Sequence, residues 1–212
     1  MSKDILIHLR NSAKTHEFRD CERMMSKVIN LLDPNQVITL ALEQLKPYML
    51  AFAIQHPEIK WLPAWTEHLE RLEPIDYSTA AFGFYDGEKI FDRNGVISPG
   101  TVSFVEAVQL LDGSFKAYVD NNPEVCRRLA WYSIDSVFVA RVFAFWAELN
   151  PQAYKTYMGN PNLINPGSRA EVSAIQKAAR EYRDSLEVKT FRETLYLDLA
   201  NQIDSMMIKA GN

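Results

Sequence analysis

Residues 129–147 read LAWYSIDSVFVARVFAFWA, and where this stretch is placed decides the fold. Of its nineteen residues, all but Ser133, Asp135, Ser136 and Arg141 are apolar. The length is that of a membrane-spanning helix, but the charges argue against insertion. The eight Leu, Ile, Phe and Val residues contribute roughly −2.4 to −4.8 kcal/mol, while Asp135 and Arg141 together cost roughly +5 to +7 kcal/mol. A helix that is apolar all round yet rejected by a bilayer belongs in the middle of a water-soluble core. The chain is therefore expected to be mainly α, a multi-helix bundle around a buried central helix at 123–149.

On a 100° wheel Ser133, Ser136, Ala140, Ala144 and Ala147 share one narrow face, and side chains this small let a second helix approach closely. The opposite face carries Trp131, Asp135, Phe138, Val142 and Trp146, which sets an acid in an aromatic groove. Arg141 lies about 120° away from Asp135. The two are six apart, whereas pairing along a helix needs three or four. Each must find a partner on another element or meet a ligand.

Helix punctuation extends outward from this segment. Asp33-Pro34, Asn122-Pro123 and Asn150-Pro151 each set a good capping residue before proline at the first helical position. Ser168–Glu171 and Thr190–Glu193 fit capping boxes, as Ser103 and Glu106 do more weakly. Gly113 and Gly211 stand where helices are expected to stop. Helices are expected at 15–32, 34–55, 63–72, 101–112, 114–121, 123–149, 151–158, 168–187 and 190–209, with Pro47 bending the second. Asp86-Gly87 between aromatic-bearing runs predicts one short β-hairpin near 82–92. The expected organisation is a helical part at 1–75, a hairpin insertion at 76–97 and a second helical part at 98–212, together forming one compact domain.

The 212 residues carry 23 Lys and Arg against 27 Asp and Glu, a net charge of −4 without charge blocks. Nucleic-acid binding, which needs a basic surface, is not expected. The start, MSKDILIHLR, holds only a three-residue apolar run, too short for a signal-peptide core, so a soluble, cytoplasmic protein with no membrane partner is expected. Cys21 and Cys126 have no zinc or CxxC spacing, and His8, His16, His56 and His68 form no HxxxH. No metal and no cofactor are expected. Asp92–Ser98 departs from a calcium loop in placing its glycine fourth rather than sixth.

Nucleophile-elbow, phosphate-loop and dinucleotide motifs are absent, so the sequence names no catalytic residue. Cys126 lies in the first turns of its helix beside Arg127 and Arg128, which makes it the candidate reactive thiol. The first functional expectation is a non-enzymatic helical protein that acts through protein–protein interaction, with a protein partner or homo-oligomer. Tyr154, Tyr157 and Met158, just before the Asn-Pro-rich loop at 159–167, offer one edge for it. The alternative is a small-molecule-binding protein or enzyme with an aromatic pocket of Trp131, Asp135, Arg141 and Trp146. There Asp135 would be the anchor or base and Arg141 the anion clamp.

Overall fold

The computed structural model of the protein describes residues 2–55, 61–76, 99–158 and 169–210, and these contain nine α-helices and no strand. In chain order they are α1 (Ser2–Lys14), α2 (Phe18–Ile29), α3 (Pro34–Gln55), α4 (Trp61–Arg71), α5 (Thr101–Val119), α6 (Pro123–Leu149), α7 (Pro151–Met158), α8 (Arg169–Asp184) and α9 (Leu186–Ala210). The hairpin expected near 82–92 and the loop at 159–167 lie outside the described residues.

The helix read first from the sequence is α6, and it is the hub of the bundle. It packs against α2, α3, α5, α7 and α9, while α1 packs on α2 and α9. By length and composition alone it is apolar enough to cross a membrane, yet Trp131, Ile134, Val137, Phe138, Val142 and Trp146 are all buried against other helices. One hydrophobic core runs from Leu6 on α1 to Ile203 on α9 and draws on both ends of the chain. The small-residue face meets α5. Ser133 is fully buried and its hydroxyl donates to the Ala107 carbonyl oxygen at 2.7 Å, which satisfies a polar group that burial would otherwise penalise.

The caps at Asn122 and Asn150 act as their positions before proline require. Asn122 Oδ1 accepts from the Val125 amide at 3.3 Å, and Asn150 Oδ1 from the Ala153 amide at 3.1 Å. At α3 the help comes from inside the helix, where Gln36 Oε1 accepts from the Asp33 amide at 2.9 Å. The helix continues through Pro47, whose ring is exposed.

Other boundaries differ from expectation, each for a local reason. The expected helix at 15–32 begins instead at Phe18, behind a helix that occupies Ser2–Lys14. Between them His16 adopts a left-handed φ of 59°. Its amide bonds to the Ala13 carbonyl at 3.0 Å and the Glu17 amide to the Ser12 carbonyl at 2.8 Å. This is the paired-bond ending usually marked by glycine. Leu72 and Asn121 end α4 and α5 in the same way, with φ of 53° and 54°. Conversely, Gly113 does not stop a helix: α5 runs unbroken through it. A Cβ there would stand 3.2 Å from Leu129 Cδ1, so the glycine serves the close approach of α6. The capping box at Thr190–Glu193 lies inside α9, whose first turn is capped by Ser185, with Oγ accepting from the Val188 amide at 3.2 Å.

Candidate functional site

Where α6 passes between the α1–α2 turn and the α8–α9 junction, a half-open cleft of about 260 Å³ remains. Its lining comes from three distant parts of the chain. His16 and Phe18 supply one wall, Val142 the α6 side, and Tyr182, Arg183, Asp184, Val188, Lys189 and Arg192 the rest. The left-handed turn at His16 reverses the chain so that both His16 and Phe18 face α9. Their rings stack 5.7 Å apart, and His16 Nε2 lies 3.2 Å from Glu193 Oε2. Ser185 breaks the chain between α8 and α9, which brings Arg183 and Asp184 alongside Val188 and Lys189.

Arg192 organises the inner side of the cleft. Its guanidinium lies 4.6 Å over the Phe18 ring, a cation–π contact, and Nη2 donates to Glu22 Oε1 at 2.9 Å. Behind Phe18 is Tyr196, fully buried, stacked on Phe18 at 6.0 Å and met edge-on by Phe138 at 5.2 Å. Its hydroxyl is buried without a well-formed hydrogen bond. Burial pushes that phenol upward, and the nearby Arg192 only partly offsets the effect. At the outer side Tyr182 stacks on Phe143 at 5.1 Å and lies 4.9 Å from Trp146, whose other neighbours are Tyr154 at 5.8 Å and Tyr157 at 5.7 Å.

None of the residues singled out from the sequence lines this cleft. Trp131 is buried on the same α6 face, near the other end of the helix. Asp135 is half-buried on that face and makes no hydrogen bond or ion pair among the described residues. Burial raises its pKa, Glu22 and Glu106 add to the rise, and Arg192 opposes it. Arg141 is half-buried elsewhere on the helix, where burial lowers its pKa against the pull of Asp198. The acid and base are thus not brought together. Trp146 is buried and reaches the cleft only through Tyr182. Sequence reasoning missed His16, Arg183, Lys189 and Arg192 as a set, because none stands out within its own local sequence.

Cys126 departs from the reactive thiol expected of it. It is fully buried, with Sγ 3.5 Å from Ser114 Oγ and 3.9 Å from the Pro34 carbonyl oxygen. Burial raises its pKa, and Ser114 and Arg127 only partly counter this. Arg127 itself donates to the Leu32 carbonyl at 2.8 Å. Cys21, also fully buried, is pushed by burial to about 12. Because the thiolate is the reactive form, neither thiol is expected to react with a disulfide reagent at pH 8 until the chain is unfolded. Rapid labelling of Cys126 in the folded protein would refute this.

Among the described residues no three His, Cys, Asp or Glu side chains are grouped to hold a metal ion. Comparison with family models, with curated proteins and with solved structures gives no match for this chain.

Proposed function

We propose that this is a soluble, non-enzymatic helical binding protein whose ligand is a small molecule held in the cleft beside α6. The observation that carries the proposal is the cleft itself, about 260 Å³ and walled by Phe18, Tyr182, Val142 and Val188. Apolar and aromatic walls with a few convergent polar groups are the usual composition of a ligand site. The volume sets the scale of the ligand, since a dry cavity of about 150 Å³ holds benzene. One ring with one polar substituent fits. The acid drawn from the sequence, Asp135, does not line this cleft, so the base expected of it is not placed against a ligand there, and His16, which does line it, is already held by Glu193. Binding without turnover is the simpler role.

A protein partner or homo-oligomer is the second reading. It draws on Leu50 and Ile54, one turn apart on α3 and 70% and 81% exposed. The other large exposed apolar side chains among the described residues are distributed, with Ile7 on α1, Leu31 just after α2, Val102 and Val119 on α5, Tyr132 and Leu149 on α6, and Leu186 and Ile208 on α9. A panel of single-ring compounds, followed by backbone amide NMR, separates the two readings. Ligand binding predicts shifts clustered at Phe18, Val142, Tyr182 and Arg192. Shifts scattered over the surface, or none, would sink the small-molecule reading. Shifts at Leu50 and Ile54 that grow with protein concentration would favour self-association.

A further inference from the structure

Charge is distributed unevenly around the cleft, and this narrows the ligand class. Arg183, Lys189 and Arg192 line it with His16 and the acid Asp184, while Glu22 bonds Arg192 and Glu193 lies against His16, so the less committed positive charge is that of Arg183 and Lys189. The three cations are not equally committed. Arg192 is tied to Glu22 at 2.9 Å and to the Phe18 face. Among the described residues Arg183 meets only Asp184, at 3.5 Å and with both side chains mostly exposed. Such an exposed pair contributes little and opens easily. Lys189 is half-buried and has no ion-pair partner among the described residues. A strongly hydrated ammonium held at an aromatic-walled cleft without a counter-charge is suited to receive one from a ligand.

Resting on the small-molecule reading above, we infer that the cleft takes a single-ring organic anion. Its carboxylate or phosphate meets Lys189 and Arg183, and its ring lies along Phe18 and Tyr182. A cationic ligand would meet Arg183 and Lys189 as like charges. A nucleic acid would need a far longer basic track than three residues provide. A volume of about 260 Å³ seats one ring, and anything larger would extend through the open side of the cleft.

Four probes test this by titration, read as cleft amide shifts: benzoate, phenyl phosphate, the neutral isostere benzamide, and inorganic phosphate. Benzoate and phenyl phosphate are expected to bind at least about tenfold more tightly than benzamide, the difference that one charge-assisted contact supplies. Phenyl phosphate is expected to exceed inorganic phosphate by a similar factor, through its ring. Lys189→Gln should weaken benzoate about five- to tenfold and leave benzamide unchanged, a loss of the same charge-assisted origin. In the unmodified protein, added salt should weaken benzoate and not benzamide. Benzamide binding as tightly as benzoate would overturn the anion inference while leaving the small-molecule reading intact. Inorganic phosphate matching phenyl phosphate would overturn the role of the ring. If no probe, and no member of the wider single-ring panel, moved the cleft amides, both readings would fall.

Discussion

Gly100→Ala is expected to lower stability by about 2–5 kcal/mol, because two independent penalties fall on one position. Gly100 precedes α5 with φ of 81°, in the left-handed region. There an L side chain costs about 1–2 kcal/mol. A Cβ at Gly100 would also stand 2.4 Å from the Ala140 carbonyl oxygen and 2.7 Å from the Tyr48 hydroxyl. The first of these atoms is backbone in the middle of α6 and cannot move alone. The second is held by its own bond to the Pro99 carbonyl oxygen at 2.7 Å. Relieving the overlap must push α5 away from α6, an overpacking penalty of about 1–3 kcal/mol. Denaturant unfolding measures the result. A loss below about 1 kcal/mol, set against the overpacking range, would mean that the α5–α6 contact is looser than these distances imply.

That contact was legible in part. The small residues of α6 announced a close helix neighbour, and Ser133 on Ala107 is where it forms. The glycines that complete it were harder to read. Gly113 resembles a helix stop in isolation, and only the presence of Leu129 at its surface explains a glycine within a helix. The three left-handed helix ends carry His16, Leu72 and Asn121. They are held by backbone bonds that leave no mark in residue identity, so α1 and α2 could not be separated by inspection. Caps built from side chains, Asn122 and Asn150, were readable because the chemistry resides in the residue itself.

The candidate site divides along the same line. A carboxylate at position 135 in an apolar run is conspicuous, because burying a charge is costly. Lys189 and Arg192 sit on an amphipathic helix where charged residues are ordinary, and Phe18 is one member of an apolar stripe. Their meaning comes from residues 16–18, 142 and 182–192 converging in space. Such convergence has no local periodicity to reveal it.

The second large effect is expected at Arg192, which stands between carboxylates on two other helices. Glu22 on α2 takes its hydrogen bond, and Asp135 on α6 feels its charge. Arg192→Gln removes the cation common to both acids. Breaking a fully buried pair costs about 3–5 kcal/mol. Because the Arg192 and Glu22 side chains retain 31% and 40% exposure, solvent screening reduces the expected loss at pH 7 to about 1–3 kcal/mol. The pH dependence identifies the cause. Burial and Glu22 hold the folded pKa of Asp135 above its ordinary 3.8. Its contribution to stability is therefore full below 3.8 and is lost as pH rises through the folded value. Without Arg192 that folded value moves higher still and the loss deepens. The deficit of the variant relative to the unmodified protein should shrink as pH falls from 7 toward 4. Asp135→Asn should then be neutral or stabilising at pH 7 and should rescue part of the Arg192→Gln loss. The sequence alone asks for a partner on another element or a ligand. Among the described residues Arg192 bonds Glu22 while Asp135 has no direct partner. An Arg192→Gln deficit equal at pH 4 and pH 7, with no rescue by Asp135→Asn, would instead assign the loss to the cation's packing on Phe18.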